Sequence, residues 1–269
     1  MLEYYNSTQD TSFLKKYIPN LISLYTSSQK RDINGDGFLE QKENQDWADV
    51  TKREGNVMYC QAVWYEFQKQ LANIPDIIKP KVFDNCSDDY KKMESGVNKI
   101  FWDTKTEMYC DHIKSNGSKS LIASQDVCLA FIFGLVKEKD KIQKHIKNLQ
   151  NKCHTNIGIA TMEPIIKSGF DPAGFYVNGG SWLWQSSFEM LAASLLLDSE
   201  YYIEPSIKFF RYYFGDNPYD KVYFDPIEWY NPYNGNNCEY YYKSAKQFST
   251  GSSAFIWMIS SLQNSIKKE

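Results

Sequence analysis

Apolar residues recur at i, i+3 or i+4, and i+7 along most of the chain, the period of helices that bury one face. Leu14, Tyr17, Ile18, Leu21, Ile22 and Tyr25 form one stripe, and Cys60, Val63, Trp64, Phe67, Leu71 and Ile74 a second that Pro75 ends. A third holds Tyr90, Met93, Val97, Ile100 and Phe101, with Ser87 as candidate N-cap. Ile142, Ile146 and Leu149 mark a short amphipathic helix, and Ile203, Ile207, Phe210 and Phe214 another. Phe255, Ile256, Ile259 and Leu262 place the last within Gly251–Leu262. Val127–Val136 and Ser186–Leu197 are apolar almost all round, which predicts helices enclosed on every side. Enclosed and one-sided helices thus alternate. No strong period-2 pattern predicts strands, although Lys221–Phe224 fits a short hairpin arm, and no repeat of fixed period is evident.

Between these helices run long segments rich in Gly, Pro, Asn and Tyr: Gln29–Asn56, Met108–Ser124, Ala160–Ser181 and Gly215–Thr250. Loops of this length are uncommon in a compact domain unless they carry function. Their recurrence at alternate helix junctions points to a helical barrel with the site at one end.

Composition narrows the classes. A chain of 269 residues can bury a substantial core, and its net charge of −3 is spread without a basic block, which argues against nucleic acid. Val127–Val136, the longest apolar run, is too short to span a bilayer, which argues against a membrane protein. The opening MLEYYNSTQD has neither the basic nor the apolar region of a secretory signal. The six cysteines are scattered without a CxxC pair, several at apolar helix positions, so a reduced, cytoplasmic protein is expected. The histidines 112, 145 and 154 lie too far apart for a metal set and read as loop or surface residues.

Aromatic residues make up 16% of the chain, more than helix packing requires. Asp46 and Asp49 flank Trp47, and Trp64 and Tyr65 follow on the next predicted helix. Indole faces stack on pyranose rings and a carboxyl protonates a glycosidic oxygen, so this grouping suits sugar chemistry. A second motif lies just before it. Asp32, Asn34, Asp36 and Glu43, with Gly37 at the sixth position, fit the spacing of a calcium loop. A structural calcium loop and a metal-free set of Asx turns both stay open.

DGFLEQKENQDWADV (36–50) followed by GNVMYCQAVWYEFQKQL resembles the C-terminal glucosidase region of amylo-α-1,6-glucosidases, the glycogen-debranching enzymes, and the related glucosidases and trehalases. Gly158-Ile159-Ala160-Thr161-Met162-Glu163-Pro164 is similar to that family's G-L-R-T-L-S-P, and Tyr176-Val177-Asn178-Gly179-Gly180-Ser181-Trp182-Leu183-Trp184 to Y-H-x-G-T-x-W-P-W, with Val177 where the family has histidine. Cys238-Glu239-Tyr240 through Phe255 resembles S-E … G-C-x-S-Q-A-W. Met58-Tyr59-Cys60-Gln61 stands where the family has Glu-Ile-Asn.

The resemblance implies Asp49 as general acid and Glu239 as general base, with the choice between Asp46 and Asp49 open. It implies Asp46, Trp47, Trp64, Tyr65, Asn178, Trp182, Trp184 and Gln185 as substrate-binding residues. The implied fold is all-α, an (α/α)6 toroid, with residues 1–269 its C-terminal portion. The predicted helices are too few to close such a ring, so its first helices would be missing and a partner chain or second copy would complete it. The implied reaction is inverting hydrolysis of an α-linked glucoside or related glycan in an oligosaccharide or glycoside substrate. It requires no cofactor, with structural calcium the one candidate ion. The alternative is a carbohydrate- or calcium-binding fragment without catalysis.

Overall fold

Among the described residues, three helix pairs are each entered through a strand of only two residues, which a second short strand clasps on the return. The computed structural model describes residues 2–48, 51–120, 122–155, 159–164, 173–214, 229–233, 253–254 and 256–261. The chain opens with helices α1 (Leu2–Thr8) and α2 (Thr11–Gln29). Asp10 caps α2, its carboxylate accepting the Ser12 N–H at 2.8 Å. Strand β1 (Asn56–Val57) leads into α3 (Met58–Ala72), and α4 (Cys86–Phe101) returns through the hairpin β2 (Trp102–Asp103) and β3 (Met108–Tyr109) to β4 (His112–Ile113). Strand β5 (Ala123–Ser124) leads into α5 (Cys128–Ile132), followed by α6 (Lys139–Cys153) and β6 (Met162–Glu163). Strand β7 (Ser181–Trp182) leads into α7 (Leu183–Leu196), followed by α8 (Ile203–Phe214) and β8 (Trp229–Tyr230).

The same unit therefore occurs three times among the described residues. β1 pairs antiparallel with β4, β5 with β6, and β7 with β8, each pair closing around two helices. The first helices of the three units lie side by side, α5 between α3 and α7. Their sequences explain the inner position. α7 is buried on all faces from Leu183 to Ala193, whereas α6 buries only Ile142, His145, Ile146, Leu149 and Cys153, one stripe at helical spacing. All three inner helices start at their strand pairs, which gathers the long loops at one end.

The fold is mostly helical with short strands, and the strands are absent from the sequence expectation. Two-residue strands alternate too briefly to leave a period-2 signature. Gly55 shows what such a clasp requires. Its φ is +81°, and a Cβ there would lie 2.1 Å from the Ile113 carbonyl oxygen on β4. Only glycine lets the chain approach β4 this closely before β1 begins.

Other expectations change in detail. The helix over Val127–Val136 is buried but short: a 3₁₀ turn over Gln125–Val127 precedes α5, and Gly134 turns the chain with φ +82°. Helix α4 starts at Cys86 with Asn85 as N-cap, two residues ahead of the expected Ser87 cap. Lys221–Phe224 lies outside the described residues. The five described cysteines are all free thiols, and among the described residues no helix is long and apolar enough to cross a membrane.

Two of the histidines read as loop or surface residues are buried. His112 sits on β4, and His145 on α6 has no solvent exposure. The His145 Nδ1 accepts the Tyr109 N–H at 3.1 Å, and its ring meets Phe131 edge-on at 5.0 Å. Burial holds its pKa down at about 3, so it stays neutral in the folded chain. Unfolded histidine titrates near 6.5, so between pH 6.5 and 3 the unfolded chain binds one more proton here. Stability from this residue is full above pH 6.5 and falls by about 1.4 kcal/mol per pH unit below it. Urea midpoints measured from pH 7 to 4 are therefore expected to drop less steeply in His145→Gln, which keeps an acceptor for Tyr109 and cannot be protonated.

Candidate functional site

The loop from α2 to β1 is pinned before it reaches the site. Phe38 packs on Phe101 with ring centres 5.7 Å apart. The buried Gln61 amide on α3 mimics a strand partner for Leu39, accepting its N–H at 2.8 Å and donating to its carbonyl at 2.7 Å. Beyond Leu39 the chain pairs Gln41 with Gly55 and delivers Asp46, Trp47 and Arg53 to the end where the inner helices begin.

Arg53 is the centre of this end. Its side chain is 1% exposed, and carboxylates from three separate segments surround it. Nη2 donates to Asp126 Oδ2 at 3.0 Å, while Nε lies 3.4 Å from Asp111 Oδ2 and 3.5 Å from Asp46 Oδ2. The guanidinium also sits 5.5 Å from the Trp47 ring centre, within cation–π range. Burial opposes its charge, but Asp111, Asp126 and Asp46 together more than offset that and keep it protonated.

The carboxylates differ in what each also holds. Asp126 takes the Trp47 indole N–H at 2.8 Å on Oδ2 and the Ser124 hydroxyl at 2.6 Å on Oδ1. Asp111 shares a 2.7 Å contact with His112 Nδ1. Asp46 accepts Gln41 Nε2 at 2.7 Å and the Ala48 N–H at 2.8 Å, and the Cys60 thiol in turn donates to Gln41 Oε1 at 2.8 Å. Burial, reinforced by the Asp46 charge, pushes that thiol up to about 12, so it remains a neutral donor. Burial and the charge of Asp111 raise Asp126 above the usual carboxylate range. For Asp111 burial acts the same way, but Arg53 and the His112 bond outweigh it and hold it below that range.

Aromatic rings build the neighbouring wall. Trp47 meets Trp184 edge-on at 5.2 Å and Trp182 at 6.4 Å. Trp182 stacks near-parallel on Trp229 at 6.5 Å, and its indole N–H donates to the Tyr176 carbonyl at 3.1 Å. Behind the wall, fully buried Glu189 on α7 accepts Gln125 Nε2 at 2.9 Å and contacts His154 Nε2 at 2.6 Å. Gln185, one turn before it, has no exposure, and neither its Oε1 nor its Nε2 has a partner among the described residues. A buried amide with both ends unused is costly unless something fills its bonds.

The expected site residues divide accordingly. Trp47, Trp182 and Trp184 come together, and Gln185 follows on the first turn of α7. Asn178 is buried nearby, its carbonyl accepting the Gly174 N–H at 2.9 Å. Asp46, expected as a sugar ligand, joins them as a brace with both oxygens hydrogen-bonded and a side chain 2% exposed. Trp64 and Tyr65 do not join the wall. Trp64 stacks on Tyr25 of α2 at 5.6 Å, and the Tyr65 hydroxyl donates to Glu94 at 2.6 Å, so both rings are used in packing α3 against α2 and α4. Their place on an apolar helical stripe already carried that reading.

Of the expected metal set, Asp36 accepts the Phe38 N–H at 2.8 Å and Asn34 the Asp36 N–H at 2.9 Å, in successive Asx turns. Glu43 is exposed, and Glu40 folds back to accept the Ile33 N–H at 2.9 Å. Among the described residues no three His, Cys, Asp or Glu side chains form a metal-holding group. Asp49 and Glu239 lie outside the described residues.

Arg53, Asp111, Asp126 and Glu189 had no place among the sequence candidates. Glu189 carried a signal, a charge inside an otherwise apolar run, and Asp126 stands one residue before another.

Residues 42–257, most of the chain, match the sequence model of the mannosylglycerate hydrolase MGH1-like glycoside hydrolase domain. The chain belongs to that family. Known structures agree on the fold. A GH78 family rhamnosidase of Bacillus sp. GL1 superposes with a TM-score of 0.63 at 16% identity, covering 95% of this chain and 25% of that one. A protein titled sialidase superposes with a TM-score of 0.65 at 12% identity, covering 90% and 23%. This domain thus spans about a quarter of either chain. Among curated proteins none is significantly similar.

In this glycoside hydrolase domain, Arg53→Met leaves three buried carboxylates without their cation and is expected to cost roughly 3–5 kcal/mol of stability. Asp126→Asn removes one of those charges. The double variant should therefore lose less than the sum of the two single losses, by about 1–3 kcal/mol in urea unfolding. Strict additivity would show that Arg53 and Asp126 do not act on each other.

Proposed function

We propose that this domain hydrolyses an α-linked glucoside or related glycan by direct attack of water with inversion, Asp49 acting as general acid and Glu239 as general base. The observation that carries the reading is the anchoring of Trp47. Asp126, Arg53, Trp182 and Trp184 all hold it, and Asp49 is two residues farther along the same segment. Orienting a pyranose for protonation of its leaving oxygen requires a fixed stacking ring together with an acid, and Asp49 is the acid that follows Trp47 in sequence. Asp49 is preferred over Asp46 because both Asp46 oxygens are already engaged. Inversion needs the second carboxylate about 6.5–9.5 Å from the first, with a water between them. Gln185, with unused amide atoms, and Asn178 are assigned to sugar hydroxyls, and Trp47 and Trp184 to the faces of the ring.

Membership in a family described by a mannosylglycerate hydrolase, and the fold shared with a rhamnosidase, widen the substrate class beyond glucose. Release of reducing sugar from a panel of α- and β-linked di- and oligosaccharides, with mannosylglycerate and rhamnosides included, identifies the substrate. On that substrate Asp49→Asn is expected to lower kcat by about 10²–10⁴-fold where the leaving group is poor, and much less on activated aryl glycosides. Glu239→Gln is expected to lose activity on both. Equal loss in Asp49→Asn on both substrates would remove the acid role.

The three described hairpins fit one arc of an (α/α)6 toroid, and we propose that a second copy or a partner chain covers an apolar face at the edge of that arc. An apolar groove of about 360 Å³ between α1, α2 and α3, lined by Leu2, Leu14, Leu21, Phe67 and Ile74, supports an uncovered face on that side. Light scattering of the isolated chain is expected to give a mass above that of one copy. A monodisperse monomer that melts cooperatively counts against it.

A further inference from the structure

The three clasps share one register. In each, the last residue of the entering strand pairs with the first residue of the returning one: Val57 with His112, Ser124 with Met162, and Trp182 with Trp229. Two residues beyond Val57, Ser124 and Trp182 the chain is in its first helical turn, at Tyr59, Asp126 and Trp184. Asp126 and Trp184 both hold Trp47, the first by accepting its indole N–H at 2.8 Å and the second edge-on at 5.2 Å. Tyr59 is the third member of this set, and the site as described so far gives it no task.

Its side chain differs from those beside it. Met58, Gln61 and Ala62 on the same turn are fully buried, whereas Tyr59 is half-buried, on a stripe that continues one turn later through Val63, 45% exposed. Helix α7 repeats this arrangement. Trp184 and Phe188, one turn apart, are the least buried residues from Leu183 to Ala193. Both inner helices therefore turn their register-equivalent side away from the core. The Tyr59 ring packs on the core, but its hydroxyl makes no hydrogen bond among the described residues. Burial, reinforced chiefly by the Asp126 charge and opposed by Arg53, pushes its pKa up to about 12, so the phenol keeps its proton.

We propose that Tyr59 is a substrate-contacting residue of this site, its hydroxyl pairing with one hydroxyl of the sugar bound against Trp47 and selecting the configuration at that carbon. A protonated phenol both donates and accepts, as a sugar hydroxyl does, so a single contact satisfies either sense of the bond. A sugar without that hydroxyl leaves the half-buried phenol unpaired, which is what makes recognition of a hydroxyl selective. Packing alone does not call for the oxygen, since phenylalanine fills the same space without a polar group to satisfy. The inference rests on the sugar-binding reading of this end, but not on which carboxylates act as acid and base.

The test uses the full chain and the p-nitrophenyl glycoside it hydrolyses fastest among α-glucoside, α-mannoside and α-rhamnoside, together with monodeoxy analogues of that sugar. Tyr59→Phe is expected to raise KM about three- to tenfold while kcat changes less than about twofold. The analogue that lacks the partner hydroxyl should lose nothing further in the variant, whereas the other analogues show the full effect. Equal loss across the whole series would mean that Tyr59 acts only through the scaffold, and the inference fails; kinetics unchanged from those of the unaltered chain overturn it as well. Circular dichroism checks folding, and Tyr59→Met takes the place of Tyr59→Phe if the latter does not fold. Should the unaltered chain hydrolyse none of the glycosides, the hydrolase reading falls alone, and calorimetric binding of the same series to the two chains decides the contact by the same pattern. Absence of binding to the unaltered chain removes both.

Discussion

A single buried guanidinium sets the geometry of this domain's loop-bearing end. Asp46, Asp111 and Asp126 come from the segment before α3, the return after α4 and the entry to α5, and the one cation they share is what offsets their mutual repulsion. Removed from water, three carboxylates at this spacing would repel one another and bear the full loss of hydration. Arg53 turns that repulsion into a junction between units that otherwise touch through apolar helix faces. The carboxylates do not titrate alike in consequence: Asp111 is held ionised while Asp126 is biased toward its proton. One polar centre thus combines a firm anion with a softer one, directly behind the indole that the proposed chemistry uses.

The helices place this centre, and the strand pairs hold them in place. Because α3, α5 and α7 are buried and adjacent, their starts are fixed relative to one another by close packing, which tolerates little displacement. Trp182 and Trp184 stand on the start of α7, so their position follows from the core, and Trp47 and Trp229 pack against them from the loop before β1 and from β8. Glu189 adds a second polar tie deeper in the same row, joining α7 to the turn before α5 and to the end of α6.

The helices were legible because their apolar period is long and repeated: the stripes through Leu14, Cys60, Tyr90, Ile142 and Ile203 all lie on observed helices. The enclosed nature of α7 was legible for the same reason. The strand clasps were not, since two residues have no period, and neither was Arg53. A basic residue in a Gly-containing loop reads as solvated, and only the arrival of Asp111 and Asp126 from some 60 and 70 positions away makes it a centre. Trp64 and Tyr65 illustrate the opposite error. Aromatic chemistry suggested a ligand face, but their spacing on the α3 stripe had already committed them to packing. Local patterns report which face of a helix is buried; they do not report which loops converge.

The clasped hairpin has an evolutionary corollary. Since each strand pair fixes where a helix pair begins and ends, the chain between β2 and β3, or beyond β6, can grow, shrink or be replaced without moving an inner helix. The rim is thereby uncoupled from the scaffold: insertions at these junctions change what the rim presents while the charged centre stays in register.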